Sequence, residues 1–172
     1  MTGSTGAERL RWTVDLLNPG PADRLLEIGC GAGVAVSLIC ERLSGGTIVG
    51  LDRSQPMIAR ATHRNRAHVD AGRARFVAVA LADADFGDER FDKVFAVNVR
   101  LFRGDAGREA DVLRWALAPH GALYLIQQHP SAERTRAVTD ELTSALERTG
   151  FSVRDVLTKG GGAATMTCVV AE

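Results

Sequence analysis

Short apolar runs alternate along the chain with longer segments in which apolar residues recur every three or four positions. The short runs are typical of buried strands, and the longer segments are typical of helices that bury one face. Strands are predicted at residues 24–28, 47–51, 75–80, 92–98, 122–127, 152–157 and 165–171. Helices are predicted at residues 34–43, 56–69, 106–117 and 131–149, after an N-terminal helix that ends before the turn residues at 18–21.

The order of these elements predicts the architecture. Strands that alternate with helices form a parallel sheet with helices on both faces. The last two predicted strands are separated by a short glycine-rich segment at 160–162, so they must run antiparallel to each other. We therefore expect an α/β fold with a doubly wound, mostly parallel seven-stranded sheet and an antiparallel strand near one edge. One domain is expected over residues 1–172, with the N-terminal helix at 1–20 and the core at 24–172.

The densest chemical signal follows the first predicted strand, where the segment LLEIGCGAG at residues 25–33 leads through a glycine-rich turn into a helix. Glycines let a ligand approach the backbone, and the N-terminus of the helix offers free N–H groups to a carboxylate or a phosphate. The dinucleotide-binding pattern G-x-G-x-x-G would need a glycine at Val34. Glu27 would attract an ammonium group and repel a pyrophosphate, which disfavours a dinucleotide.

The spacing of Glu27, Gly29, Gly31 and Gly33 resembles motif I, E-x-G-x-G-x-G, of the Rossmann-like (class I) S-adenosylmethionine-dependent methyltransferases. The resemblance covers nearly the whole chain from residue 24 to residue 171. It implies a Rossmann-like sheet and S-adenosyl-L-methionine as the cofactor. It also implies that the glycine turn holds the amino-acid end of the cofactor, with Glu27 near its ammonium group.

Candidates for binding the nucleoside follow the second and third predicted strands. Asp52 ends the second strand, where a carboxylate can accept hydrogen bonds from both ribose hydroxyls, although it could instead cap the next helix. Met57 resembles the family's apolar residue beside adenine, although a core methionine would fit the same pattern. The segment that contains Asp83 and Ala84 is similar to the family's adenine-binding segment. The resemblance implies that the Asp83 side chain and the Ala84 backbone amide contact the adenine edge.

Two further candidates lie at the ends of the fourth and fifth predicted strands. Asn98 is a candidate for contacting the methionine end of the cofactor. His129 lies at the C-terminal edge of the sheet, where ligands bind in open α/β folds. We predict His129 as a catalytic general base, required only if the acceptor must be deprotonated; the alternative is a loop histidine before Pro130.

The methyl acceptor is expected over the fourth and fifth strands, because the cofactor would occupy the ends of the first three. The segments that can reach this space are residues 98–103, residues 127–129 and the N-terminal helix. Trp12 and Phe102 would supply an apolar wall, and Arg100 and Arg103 would suit a carboxylate or a phosphate on the acceptor. In the alternative interpretation, the aromatic side chains only pack and both arginines are solvated.

Composition narrows the expected partners. Lys+Arg 21 equals Asp+Glu 21, so no overall charge attracts nucleic acid or an anionic membrane. The three cysteines form no C-x-x-C pair, no signal peptide is visible, and no apolar run reaches a membrane-spanning length, which predicts a cytoplasmic protein. The segments after the fourth and fifth strands are poor in carboxylates, so we expect no metal.

These observations predict metal-independent methyl transfer from S-adenosyl-L-methionine to a small-molecule acceptor that the sequence does not identify, with a homodimer left open as an assembly. Two alternatives remain. The chain could be a non-catalytic subunit that binds the cofactor and supports a partner chain. A nicotinamide-dependent oxidoreductase is the other alternative, and Val34 and Glu27 disfavour it.

Overall fold

The strands were located in a computed structural model that describes residues 3–103, 106–160 and 165–172. They are β1 (Arg24–Ile28), β2 (Thr47–Asp52), β3 (Ala74–Ala78), β4 (Phe91–Val97), β5 (Leu117–His129), β6 (Val153–Lys159) and β7 (Thr165–Ala171). Within the described ranges these seven strands form one sheet in the order β3-β2-β1-β4-β5-β7-β6. Most of the predicted glycine segment before β7 lies outside the described residues.

Strand pairing confirms the predicted sheet. β1 pairs in parallel with β2 and β4, β2 with β3, and β4 with β5, whereas β7 pairs antiparallel with both β5 and β6. The antiparallel strand β7 therefore lies next to the edge strand β6. The strand order reverses at β1, with β2 and β3 on one side and β4 and β5 on the other. Such a reversal opens a crevice at the C-terminal ends of the strands, where ligands bind.

The helices are α1 (Gly3–Leu17), α2 (Val34–Cys40), α3 (Gln55–Arg64), α4 (Arg66–Asp70), α5 (Ala106–Ala116) and α6 (Ala132–Arg148). Successive strand residues point to opposite sides of the sheet, so its two faces each carry apolar side chains. The helices cover both of these faces. Leu25 and Ile48 face a buried layer that α1 and α2 complete. Their neighbours Leu26 and Val49 face a second buried layer that α5 and α6 complete. This arrangement confirms the doubly wound fold.

The helix predicted at 56–69 is wrong in one respect, because the structure divides it into α3 and α4 at Asn65. Asn65 has φ −102° and ψ 20°, outside the helical region. The Ala61 carbonyl accepts both from the Asn65 backbone N–H and from its side-chain Nδ2, each at 3.0 Å, so the asparagine side chain folds back on the last turn of α3.

The fifth strand begins at Leu117 rather than at residue 122 as predicted. Phe91 pairs with Leu117 while Lys93 pairs with Ala122, so the register shifts at this point. His120 lies in the shifted segment with φ 67°, in the left-handed region that favours glycine. An irregular strand entry of this kind has no hydrophobic periodicity, which is why the pattern placed a turn there.

Cys30, Cys40 and Cys168 are buried free thiols. Among the helices of the described ranges, none combines the length and the apolar character that a membrane crossing requires.

Candidate active site

The glycine turn after β1 is built from three glycines with positive φ: 71° at Gly29, 52° at Gly31 and 70° at Gly33. A Cβ at Gly29 would lie 2.5 Å from Cγ2 of Val99, so this glycine makes room for the loop after β4. A Cβ at Gly31 would meet no atom within 4 Å. Gly31 is therefore the glycine of the turn that faces open space, and it leaves the backbone accessible to a ligand.

Gly33 has a packing role that the motif alone does not show. A Cβ there would lie 2.7 Å from Nδ2 of Asn65 and 3.0 Å from Cβ of Ala61. The Asn65 side chain, only 1% exposed, donates from Nδ2 to the Gly33 carbonyl at 3.0 Å and accepts from Oγ of Ser37 at 2.8 Å. The Ser37 hydroxyl also donates to the Gly33 carbonyl at 3.1 Å. These hydrogen bonds hold the first turn of α2 against the end of α3.

Asn65 is absent from the predicted site residues, although the sequence carries a signal for it. It follows Ile58 and Ala61 on the buried face of the helical segment, where an amide must find hydrogen-bond partners. A polar residue such as Asn65, at a position where the helical pattern predicts an apolar one, therefore indicates a buried hydrogen-bonded side chain.

Glu27, predicted near the cofactor's ammonium group, is buried at the C-terminal end of β1 with 4% exposure. Its Oε2 is buried and has no hydrogen-bond partner among the described residues. Burial, reinforced by the negative charge of Asp52, raises the pKa of Glu27 from 4.5 to about 8. A buried carboxyl group with an unpaired oxygen is costly on its own and favours a bound cation. The ammonium end of S-adenosyl-L-methionine fits this position.

Asp52, predicted to bind the ribose, joins the glycine turn to the start of α3. Its Oδ2 accepts from the Gly31 N–H at 2.9 Å, and its Oδ1 accepts from the Ser54 N–H at 2.9 Å. Ser54, not Asp52, is the N-cap residue of α3, so the helix-cap alternative is wrong. Because a carboxylate offers about four acceptor sites, each oxygen can accept a further hydrogen bond. The carboxylate thus fits a pair of ribose hydroxyls.

The predicted adenine contacts lie on two elements. Met57 is half-buried in the first turn of α3 and belongs to neither buried layer. Asp83 lies in a short 3₁₀ helix after β3, is 61% exposed, and forms an ion pair with Arg108 of α5 at 3.2 Å. The Ala84 N–H donates to the Leu81 carbonyl at 3.1 Å. The Ala84 amide is therefore already hydrogen-bonded, and the adenine contacts at Asp83 and Ala84 stay a prediction.

Asn98 links the ends of β4 and β5. It has φ 54°, a left-handed conformation that asparagine tolerates better than most residues. Its N–H donates to the Ile126 carbonyl at 2.8 Å, and its Oδ1 accepts from the Gln128 N–H at 2.8 Å. The side chain of Gln127 donates to the Val99 carbonyl at 3.0 Å. The loop after β4 is thereby held against the C-terminal edge of the sheet.

A cavity of about 950 Å³ lies between this loop, the end of β5 and α6. Its lining includes the predicted acceptor-side residues Asn98, Arg100, Phe102, Arg103 and His129. The cavity therefore occupies the space over the fourth and fifth parallel strands. Its size matches the upper range of small-molecule sites in proteins.

The apolar wall predicted from the sequence is only partly present. Phe102 lines the cavity, but it is 9% exposed and packs edge-to-face on Phe151, with ring centroids 6.4 Å apart. The Phe102 N–H donates to Oε2 of Glu109 at 2.6 Å, which holds its backbone at φ 61°. Trp12 is absent from the lining and packs against the layer formed by α1 and α2. Trp12 thus packs against a buried layer, as in the alternative interpretation, and its contact with an acceptor stays a prediction.

A different residue connects α1 to the cavity. Arg9 donates from Nη1 to Oε1 of Gln128, which lines the cavity. Its Nε is buried and has no hydrogen-bond partner in the described part of the chain, and burial lowers the pKa of its guanidinium. Arg9 precedes Thr13, a fully buried residue, by one helical turn, and this spacing is the signal that it points inward.

His129, the predicted general base, is half-buried at the end of β5. Its Nε2 is buried and has no hydrogen-bond partner among the described residues. Burial and the positive charge of Arg134 lower the pKa of His129 below 6.5. The imidazole is therefore neutral at pH 7 and can accept a proton. In the described ranges, no group of three or more His, Cys, Asp or Glu side chains is arranged to hold a metal ion.

Comparison with known proteins identifies the family. A family model for a methyltransferase domain matches residues 25–121. The chain is 30% identical over 140 residues to a trans-aconitate 2-methyltransferase of Delftia acidovorans, covering 80% of this chain and 51% of that protein. It is 33% identical over 131 residues to a demethylmenaquinone methyltransferase of Thermus thermophilus, covering 74% of this chain and 58% of that protein.

The fold comparison agrees. The structure of a methyltransferase from Thiobacillus denitrificans in complex with S-adenosyl-L-homocysteine superposes with a TM-score of 0.68 at 15% identity, covering 96% of this chain and 90% of that chain. The chain therefore belongs to the methyltransferase domain family and has its Rossmann-like fold. It spans about half the length of the curated relatives that it matches.

Proposed function

We propose that this chain transfers a methyl group from S-adenosyl-L-methionine to a small-molecule acceptor. The observation that carries the proposal is the buried carboxyl group of Glu27, whose Oε2 has no hydrogen-bond partner in the described residues and adjoins the glycine turn. An ammonium group favours the ionised form of this carboxyl group and can pair with it, whereas a pyrophosphate would be repelled by that form. Bound S-adenosyl-L-methionine supplies a methyl carbon whose bond to sulfur breaks as the acceptor bonds to it, with the electron pair left on sulfur.

The chain's own residues hold the cofactor in this proposal. Glu27 binds the ammonium group, and the open side of Gly31 admits the amino-acid end. Asp52 accepts hydrogen bonds from the ribose hydroxyls while it keeps its hydrogen bonds to the Gly31 and Ser54 amides. Gly29 and Gly33 shape the turn by admitting Val99 and Asn65.

Three predicted contacts complete the proposed cofactor site. Met57 is proposed to flank adenine, because it is half-buried without belonging to either buried layer. Asp83 and Ala84 are proposed at the adenine edge on the strength of the motif. Asn98 is proposed near the methionine end, since it lies at the end of β4, next to β1.

The acceptor is proposed to bind in the cavity over β4 and β5, with His129 as the general base. A neutral imidazole can take the proton from an acceptor O–H or N–H as the new bond forms. Positioning supplies the rest of the catalysis, and we propose that no metal is required. Relatives that act on trans-aconitate and demethylmenaquinone support a small molecule rather than a nucleic acid as the acceptor.

A labelled-methyl assay tests the proposal. S-Adenosyl-L-methionine carrying an isotopic methyl group is incubated with the protein and a panel of small molecules that includes trans-aconitate, with and without EDTA. We expect label in one product class, undiminished by EDTA. The His129→Gln variant should transfer methyl groups about 10²-fold more slowly while its cofactor affinity is unchanged. Binding of the cofactor without transfer to any acceptor would favour the alternative of a non-catalytic subunit.

A further inference from the structure

The acceptor cavity carries more arginine charge than its carboxylates can neutralise. Its charged lining residues are Arg100, Arg103, Arg134, Asp140, Glu141 and Arg148. Arg103 and Glu141 form an ion pair across the cavity mouth, with Nη2 and Oε2 3.4 Å apart. Within the described residues, the guanidinium groups of Arg100, Arg134 and Arg148 form no ion pair and no hydrogen bond. Three cations therefore face one remaining carboxylate, Asp140.

Two of these cations lie at the catalytic end of the cavity. Arg134 is in the first turn of α6, directly after the end of β5, and its charge acts on the His129 ring. Arg100 follows Asn98, which is hydrogen-bonded to the Gln128 backbone. Arg148 lies about 21 Å further along α6 at 1.5 Å per residue, beyond the Arg103–Glu141 pair. Arg100 and Arg134 are thus the unpaired arginines nearest the candidate base.

We propose, building on the proposed function, that the acceptor is a small organic anion whose carboxylate or phosphate oxygens are bound by Arg100 and Arg134. Guanidinium groups present paired N–H donors that match such oxygens, and the bonds are charge-assisted. Both arginines are exposed where they line the cavity, so their guanidinium groups are accessible to a bound anion. A methyl-accepting atom of the same molecule then lies within the cavity beside His129.

Anion binding also has a consequence for the base. A bound carboxylate or phosphate offsets the positive charge of Arg134, which is one of the two causes that lower the pKa of His129. The other charged groups of the lining are Arg100, Arg103, Asp140, Glu141 and Arg148. Arg100 is offset by the same anion, and the remaining groups are unchanged by binding. The anionic acceptor therefore raises the pKa of His129 and strengthens it as a base.

Titration of the protein loaded with S-adenosyl-L-homocysteine tests the proposal. Three probes are used: propane-1,2,3-tricarboxylate, inorganic pyrophosphate and the neutral trimethyl ester of the tricarboxylate. We expect at least one of the two anions to bind, the ester not to bind, and binding to weaken as salt is raised. The anion that binds distinguishes a carboxylate site from a phosphate site. NMR titration of the histidines should show a higher pKa of His129 when the anion is bound.

Matched variants locate the site. Arg134→Gln and Arg100→Gln should each weaken anion binding about tenfold or more. Arg136→Gln is the control, because Arg136 is an exposed arginine of the same helix that does not line the cavity, and it should bind the anion as the wild type does. Equal binding of the ester, equal loss in Arg136→Gln, or no binding of either anion to the loaded protein would overturn the anionic acceptor. The proposed function would fail separately, if S-adenosyl-L-homocysteine itself did not bind.

Discussion

The carboxylate of Asp52 acts on the buried carboxyl group of Glu27, and together with burial it raises the pKa of Glu27 to about 8. Asp52 is itself held by two backbone N–H groups and stays half-exposed at the crevice. The carboxyl group of Glu27 is therefore mostly neutral at pH 7 in the absence of ligand, while that of Asp52 is hydrogen-bonded and accessible at the crevice. A ligand that carries a cation at one end and hydroxyl groups at the other satisfies both.

This pair predicts proton release on cofactor binding. At pH 7 Glu27 is mostly protonated in the free protein, and a bound ammonium group favours its ionised form. Calorimetry of S-adenosyl-L-homocysteine binding in two buffers with different ionisation enthalpies should show release approaching one proton. The release should diminish above pH 8 and vanish in Glu27→Gln. A binding enthalpy independent of the buffer at pH 7 would show that Glu27 does not meet a cation.

Glu27 also predicts a pH dependence of stability in the absence of ligand. Its pKa is 4.5 without burial and about 8 in the folded protein, so the folded state binds the proton more tightly. The associated stability is fully present below pH 4.5 and is lost as the pH rises to 8. Glu27→Gln cannot lose a proton, so its melting temperature should gain about 5–10 °C relative to wild type between pH 5 and pH 8. If the melting temperatures of the two proteins changed equally with pH over that range, the raised pKa of Glu27 would be contradicted.

Asp52→Ala should weaken binding of S-adenosyl-L-homocysteine by about 1.5–3 kcal/mol, the range for hydrogen bonds to charged groups. The fold should survive, because Asp52 lies at a strand end rather than in the core. The variant also loses the hydrogen bonds from the Gly31 and Ser54 amides to the Asp52 carboxylate, so the glycine turn becomes less rigid. Isothermal calorimetry measures the change, and circular dichroism checks the fold. An unchanged affinity would leave Asp52 only a structural role.

Two glycines of the turn predict different effects of substitution: a loss of stability at Gly33 and a loss of cofactor affinity at Gly31. Gly33→Ala places a Cβ 2.7 Å from Asn65, so we expect a loss of about 2–4 kcal/mol in the free energy of unfolding. Gly31→Ala meets open space and incurs only the backbone strain of about 1–2 kcal/mol, but its Cβ enters the region proposed for the ligand. Melting temperature and cofactor affinity should be measured for both variants. If Gly31→Ala bound the cofactor with wild-type affinity, the cofactor would not contact the turn at Gly31.

The pattern of short apolar runs was sufficient to predict the strands, because the central strands of the sheet are buried on both faces. It predicted β1 with its bounds, and the short connection between the last two strands predicted their antiparallel pairing. It failed where the backbone departs from regular geometry. The break between α3 and α4 depends on the buried side chain of Asn65, and the early start of β5 depends on a left-handed His120.

The candidate site likewise contains features that the sequence predicts and features that it does not. The positions of Glu27 and Asp52 at strand ends could be predicted, and their contacts with the cofactor stay a prediction. The contact between Arg9 and Gln128 and the anchoring of Gly33 by Asn65 join residues distant in sequence, and no local pattern reports them. The packing of Trp12 against the layer of α1 and α2 could not be predicted either, because a helical stripe shows which residues are buried but not which layer they contact.

The cofactor can be tested without knowing the acceptor, and this measurement addresses the central claim most directly. The melting temperature of the protein is recorded with equal concentrations of S-adenosyl-L-homocysteine, NAD and NADP. A ligand that binds only the native state stabilises it by RT ln(1 + [L]/Kd), so at equal concentrations the tighter ligand raises the melting temperature more. We expect S-adenosyl-L-homocysteine to raise the melting temperature and both dinucleotides to leave it unchanged. Equal or greater stabilisation by NAD or NADP would contradict the methyltransferase proposal.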